Sequence, residues 1–137
     1  MKNFIPVYQP NILGNEKKYI NECIDSNWIS SKGSFINKFE NKFSKFLDIK
    51  HSSSVTNGTV ALHLCLKSLG IGKGDEVIVP TFTYIASVNS IKYVGAKPIF
   101  VDSDINSWNI DTSKIESKIT NRTKALMVVH LYGASCQ

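Results

Sequence analysis

The sequence predicts an α/β fold, a parallel-sheet sandwich in which helices pack against the sheet. Segments of strand length alternate with segments of helix length from residue 51 onward, as parallel strands require, because each needs a long crossover to the next. The strands predicted at 76–79 and 124–130 contain continuous apolar runs, which are typical of strands covered on both faces. The 137 residues are 42% hydrophobic and 20% charged, which indicates an ordinary globular domain.

Residues 1–50 are predicted to form an amino-terminal helical segment. The first helix covers 15–26 and has one apolar face. The second begins near Ser34, a candidate N-cap, and carries apolar side chains at spacings of three and four. We expect this stripe to be core; it consists of Ile36, Phe39, Phe43, Phe46 and Leu47.

Residues 51–137 are predicted to begin a larger α/β domain. The helix at 58–69 is apolar nearly all round, so we expect it to lie between the sheet and other packed layers. No helix follows the last predicted strand, and we therefore expect the architecture to be incomplete in this chain. The predicted strands are 51–56, 76–79, 98–101 and 124–130, and the predicted helices are 58–69, 83–93 and 111–119.

The sequence Val55-Thr-Asn-Gly-Thr59 predicts an anion site at the start of the helix at 58–69. The first N–H groups of a helix have no intrahelical partner and lie at the positive end of its dipole, which suits a phosphate. Neither GxGxxG nor GxxxxGK[ST] is present, so a nucleotide-binding loop is not indicated. Alternatively, Asn57 or Thr59 simply caps the helix, and capping and phosphate binding can coexist.

Two further segments follow predicted strands and are expected to reach the same crevice, since ligands gather at the carboxyl ends of parallel strands. Tyr84 lies four residues after Pro80 and is placed to cover a planar ring, although it is also a candidate core or interface aromatic. His130 ends the last predicted strand and is either close to the ligand or a hydrogen-bonded core histidine.

Five ordered segments resemble one family: WISSKG at 28–33, VTNGTVALHL at 55–64, GIGKGDEVIVPTFTYIASVNSI at 70–91, GAKPIFVD at 95–102 and VVHLYG at 128–133. The amino-terminal part of the DegT/DnrJ/EryC1/StrS sugar aminotransferases is similar to the chain from Tyr8 to its last residue. These are enzymes of fold type I that depend on pyridoxal 5′-phosphate (PLP). The resemblance implies the amino-terminal portion of the large PLP-binding domain, and a homodimer for the full-length protein.

The resemblance also implies substrates and site residues. Within the family, the opening of the chain is most similar to enzymes that aminate GDP-4-keto-6-deoxymannose, a nucleotide sugar, with L-glutamate as donor. Gly58 and Thr59 correspond to the residues that bind the cofactor phosphate, and Tyr84 to the aromatic that stacks on the pyridine ring. The segment near the sugar nucleotide contains Trp28, Ser30 and Ser31, although Trp28 is equally suited to plug a core. Asp102, Trp108 and Asn109 also match the family, but we assign them no role.

No catalytic residue is predicted in this chain. The resemblance places the lysine that attaches PLP, and the acidic residue that pairs with the pyridine nitrogen, beyond residue 137. We therefore expect the chain to be inactive on its own. A sugar dehydratase of the same family, with histidine in place of that lysine, stays open. So does a non-catalytic, truncated phosphate-binding module.

Charge and residue spacing argue against other classes. The net charge is +5 and the pI about 9.1, yet the lysines are dispersed, so we predict no nucleic-acid partner. Three cysteines without CxxC spacing indicate a reducing compartment, and three distant histidines indicate no metal site. We see neither a signal peptide nor a long apolar run, so we expect a cytoplasmic protein without a membrane partner.

Overall fold

A computed structural model describes residues 4–137. The chain divides into two compact units, one ending at Ser54 and one covering Val55–Gln137. The domain boundary predicted after residue 50 stays a prediction.

The first unit contains two helices, α1 (Glu16–Asp25) and α2 (Ser34–Phe46). Their faces meet at Tyr19 and Phe35, whose ring centroids are 5.2 Å apart. Neither helix has a buried residue, so the prediction that the aromatic stripe of α2 is core is wrong for this chain. Phe46, for example, is 82% exposed. Two short helices enclose too little volume to bury such a stripe.

Two local predictions in this unit are also wrong. Ser34 does not cap α2, because it is the first helical residue and Gly33 occupies the N-cap position without a side-chain bond. The predicted strand at 51–56 does not form. Instead, the Glu40 carboxylate accepts hydrogen bonds from the Ser54 N–H at 2.8 Å and the Ser54 hydroxyl at 2.9 Å. The segment is thus held by a side chain rather than by a neighbouring strand.

The second unit is the α/β part, and its parallel sheet confirms the predicted fold class. The strands β1, β2 and β3 lie in the order β2-β1-β3, and both pairings are parallel. A helix precedes β1 and another joins β1 to β2. In chain order the elements are α3 (Gly58–Ser68), β1 (Glu76–Pro80), α4 (Ile85–Tyr93), β2 (Lys97–Val101) and β3 (Thr123–Leu126).

The central strand β1 is buried along its whole length, as predicted. Its side chains alternate between two apolar clusters. Val77 and Val79 face α3 and α4, where they pack with residues such as Leu66 and Ile91. On the opposite face, Ile78 packs with Val101 and Ile110. Because both faces are covered, β1 is the rigid centre from which the neighbouring segments extend.

Three elements differ from the predictions. The segment predicted as a helix at 111–119 forms two 3₁₀ turns, Thr112–Lys114 and Glu116–Lys118. Its serine and aspartate side chains bond locally to the backbone, which favours tight turns over an α-helix. The strand β3 ends at Leu126 rather than at residue 130. In α3 only Leu66 is buried, because residues 55–137 provide no further layer that covers that helix.

A buried carboxylate lies at the edge of the sheet where β1 begins. Glu76, at the start of β1, accepts hydrogen bonds from the Thr120 hydroxyl at 2.6 Å and from Arg122 Nη2 at 2.7 Å. The Glu76 side chain is 3% exposed. The Thr120 hydroxyl, followed by the positive charge of Arg122, lowers the pKa of this carboxyl despite its burial.

This lowered pKa predicts how stability depends on pH. A carboxyl whose pKa is lower in the folded state stabilises the fold above its unfolded pKa of about 4.3, and the effect is lost as the pH falls through the folded pKa. We expect Glu76→Gln to reduce the free energy of unfolding at pH 7. Between pH 7 and pH 3, the free energy of unfolding should fall less in this variant than in the wild type. Urea unfolding at pH 7 and pH 3 measures both. Glu116→Gln, at an exposed position, is the control, and equal acid sensitivity of wild type and E76Q would contradict the prediction.

Candidate functional site

The start of α3 has the geometry of an anion site. The Asn57 side chain caps the helix, since its Oδ1 accepts a hydrogen bond from the Val60 N–H at 3.0 Å. The N–H groups of Gly58 and Thr59 donate no hydrogen bond to any residue between 4 and 137. Capping therefore satisfies one of the free donors of the helix and leaves these two available, so the observed cap does not exclude the predicted phosphate binding.

The surroundings of these two N–H groups suit a phosphate. Gly58 is exposed, and a Cβ added there meets no atom of the described residues within 4 Å. The first turn of α3 contains no acidic residue that would repel an anion. The positive end of the helix dipole adds a favourable interaction of about 0.3–1 kcal/mol with a negative charge at an exposed site.

Tyr84 lies at the start of the second helix of this unit, at the N-cap position of α4. Its side chain is 78% exposed, so it is not part of the core of the described chain. The neighbouring Phe82 contacts Trp108, with ring centroids 5.7 Å apart. The Tyr84 side chain is thus accessible at the surface of the described chain.

The starts of α3 and α4 lie at the same edge of the sheet. Each helix leads into one of two adjacent parallel strands, β1 and β2. The turns that end the helices touch each other, at Gly72 beside Val94 and at Lys73 beside Gly95. Because the carboxyl ends of the helices meet where the strands begin, their amino ends point toward the carboxyl ends of the strands. Ligands bind at this edge in open α/β sheets.

The segment after β3 is the third predicted part of the site. His130 is exposed, and its Nδ1 accepts a hydrogen bond from the Cys136 N–H at 3.0 Å. It is therefore not a core histidine in this chain. A 3₁₀ turn, Leu131–Gly133, follows directly and contains Tyr132 in the left-handed region at φ 50°.

Sequence reasoning missed one residue at this edge, Asn109, to which it assigned no role. Asn109 is 4% exposed. Its Oδ1 accepts a hydrogen bond from the Leu131 N–H, and its Nδ2 donates one to the Ala134 carbonyl, each at 3.0 Å. The only sequence signal is an amide residue next to the apolar Ile110, which does not reveal the distant partners.

The three residues predicted near the sugar nucleotide lie in the first unit. Trp28 and Ser30 line an apolar cavity of about 1080 Å³ between α1 and α2. The Ser30 hydroxyl bonds locally to the Lys32 backbone at 3.3 Å, whereas Ser31 does not line the cavity. Because more than half of the Trp28 side chain is exposed, it does not plug a core here.

Within the part of the chain that the structure describes, no three His, Cys, Asp or Glu side chains are grouped so as to hold a metal ion. No described helix has the length and apolar character needed to cross a bilayer.

Known proteins resemble this chain over almost all of its length. Residues 10–137 match the DegT/DnrJ/EryC1/StrS aminotransferase family. A GDP-perosamine synthase of Escherichia coli O157:H7 is 65% identical over 97% of this chain and 36% of its own length. The chain thus spans about a third of the length of this curated relative.

Two solved structures share the fold. A putative sugar aminotransferase from Streptococcus pneumoniae, in its PLP form, is 35% identical with a TM-score of 0.88, over 96% of this chain and 33% of that protein. An E. coli GDP-4-keto-6-deoxy-D-mannose-3-dehydratase with bound hydrated PLP is 30% identical with a TM-score of 0.82, over 93% of this chain and 34% of that protein.

Proposed function

The chain belongs to the DegT/DnrJ/EryC1/StrS aminotransferase family, and we propose that it forms the phosphate-binding and ring-binding part of a PLP-dependent sugar aminotransferase. The observation that carries this proposal is the pair of N–H groups of Gly58 and Thr59 at the exposed start of α3, which donate to no residue between 4 and 137. A helix start of this kind fits the phosphate group of PLP.

The residues of this chain have distinct tasks in the proposed site. The N–H groups of Gly58 and Thr59 hold the phosphate and thereby fix one end of the cofactor. Tyr84 covers one face of the ring and keeps water from it, a contact worth about 0.5–1.5 kcal/mol beyond area burial. When bound, PLP supplies an electron-withdrawing ring that stabilises negative charge at the reacting carbon of the substrate.

We propose GDP-4-keto-6-deoxymannose as the amino acceptor and L-glutamate as the donor. The 65% identity to a GDP-perosamine synthase supports this choice over other nucleotide sugars. We also assign Trp28, Ser30 and Ser31 to the sugar nucleotide, with the apolar cavity beside Trp28 and Ser30 as support. The full-length protein is proposed to be a cytoplasmic homodimer.

The substrate is tested with a full-length protein, one that contains this sequence and has the length of the curated relatives. We expect amination of the GDP-sugar when 4-keto-6-deoxy sugars carrying GDP, UDP or dTDP are offered with L-glutamate. Activity with a UDP- or dTDP-sugar alone would contradict the assignment. Loss of a sugar hydroxyl without amination would favour a dehydratase, a candidate because such an enzyme shares the fold at 30% identity.

We expect the 137-residue chain alone to be inactive, because the family resemblance assigns none of its lysines to the position that attaches PLP. Borohydride reduction traps PLP that is covalently attached to a lysine. After incubation with PLP and borohydride, mass spectrometry is expected to show no stoichiometric pyridoxyl group at any single lysine. One fully modified lysine would contradict this expectation and point to catalysis by the chain itself.

A further inference from the structure

Asn109 is a buried polar residue that the proposed function does not use. Its side chain is almost fully enclosed, and both ends of its amide are hydrogen-bonded to the segment that follows β3, at Leu131 and Ala134. An amide is costly to bury unless its hydrogen bonds are made. These two contacts therefore fix the position of the segment relative to Asn109.

Asn109 and its two hydrogen-bond partners lie in segments that follow different strands. Asn109 follows β2, whereas Leu131 and Ala134 follow β3, and β1 lies between those two strands. The partners are 22 and 25 residues away in sequence. Since the strands are parallel, both segments leave the same edge of the sheet, which is the edge where α3 and α4 begin. The Asn109 side chain thus joins the two segments that flank the proposed site.

Asn109 is itself held in place. The backbone N–H of Asp104 donates to the Asn109 carbonyl at 2.8 Å, and the Trp108 N–H donates to the Asp104 carbonyl at 2.8 Å. Trp108 has a φ of 61°, which a non-glycine residue keeps only when its surroundings impose it. The contact between the rings of Trp108 and Phe82 ties the same loop to the segment after β1.

The segment held by Asn109 presents two side chains to solvent. Tyr132 is exposed and stands in the left-handed region. The Nδ1 of His130 accepts from the Cys136 N–H, so in the neutral imidazole the proton lies on Nε2, which can donate to a ligand. Both side chains carry groups that can hydrogen-bond to a polar ligand.

We propose that Asn109 is a positioning residue that holds the turn of His130 and Tyr132 beside the ring of the bound cofactor. This inference rests on the proposed function. Binding of the whole cofactor then depends on the Asn109 side chain, whereas binding of phosphate alone does not, because Gly58 and Thr59 lie outside the Asn109 contacts.

Titrations of the 137-residue chain with PLP and with inorganic phosphate, followed by backbone amide NMR, separate the two dependences. We expect Asn109→Ala to weaken PLP binding about three- to tenfold, the effect of one to two lost hydrogen bonds, and to leave phosphate binding unchanged. Hydrogen exchange at the Leu131 N–H should accelerate on the order of fivefold or more. Asn109→Asp keeps an oxygen that can accept the hydrogen bond from the Leu131 N–H, so hydrogen exchange at that N–H should stay slow.

Asn106→Ala is the matched control, because Asn106 lies in the same loop and its side chain makes no hydrogen bond within residues 4–137. Amide exchange in β1 reports whether each variant is folded, and N109D, which retains the side-chain shape, serves if N109A unfolds. A wild type that binds both ligands and Asn109 variants that bind PLP equally well would overturn the positioning role alone. A wild type that binds neither ligand would overturn the proposed function and this role with it.

Discussion

Replacing Gly58 with proline is expected to weaken the binding of both PLP and inorganic phosphate about ten- to hundredfold, because a hydrogen bond to a charged group contributes about 1.5–3 kcal/mol. Proline removes the N–H that Gly58 offers to the phosphate. The helix itself should persist, since proline is well suited to the first helical position. The preceding residue, Asn57, has φ −166° and ψ 170°, an extended conformation that is compatible with a following proline.

Gly58→Ala is the matched control for this substitution. It keeps the N–H, and its added methyl group meets no atom of the free protein within 4 Å. We expect G58A to retain affinity within about threefold, since the hydrogen bond is preserved. Isothermal titration of the two variants and the wild type measures the difference. Equal affinity of G58P and G58A for phosphate would show that the Gly58 N–H does not bind it.

Truncation of Ile78 is expected to cause the largest loss of stability. Ile78 is 1% exposed and packs with Val101 and Ile110 on the face of the sheet opposite α3 and α4. Ile78→Ala should reduce the free energy of unfolding by about 2–5 kcal/mol, because it removes buried methyl groups and leaves a cavity. That is a large share of the roughly 5–15 kcal/mol typical of a domain.

Ile105→Ala is the control for Ile78→Ala. Ile105 lies in the loop after β2 and is 83% exposed, so its truncation should change stability by less than about 0.5 kcal/mol. Urea unfolding of the two variants and the wild type measures both losses. A loss below about 1 kcal/mol for I78A would contradict the packing described for the centre of the sheet.

Local chemistry made the start of α3 predictable. Asn57 and Gly58 are residues that begin helices, and the structure begins α3 at Gly58 with Asn57 as its cap. The continuous apolar run of β1 was equally informative, since a strand buried on both faces needs such a run. These features depend on neighbours in sequence, so a single sequence reveals them.

Features that depend on partners distant in sequence could not be predicted from local sequence. The Asn109 side chain is positioned by atoms more than twenty residues away. The segment at 51–56 has the residues of a strand, but its Ser54 bonds to the Glu40 carboxylate instead. Similarly, the stripe of α2 has the spacing of a core face, yet burial depends on what packs against it, which helical spacing does not specify.

Resolved amide shifts during a PLP titration of the 137-residue chain test the phosphate site most directly. We predict that the largest changes occur at the N–H groups of Gly58 and Thr59, that inorganic phosphate competes for them, and that the change at Thr59 in G58P requires about ten- to hundredfold more PLP. Shifts confined to other parts of the chain, with Gly58 and Thr59 unmoved at saturating PLP, would contradict the assignment of the cofactor phosphate to the start of α3.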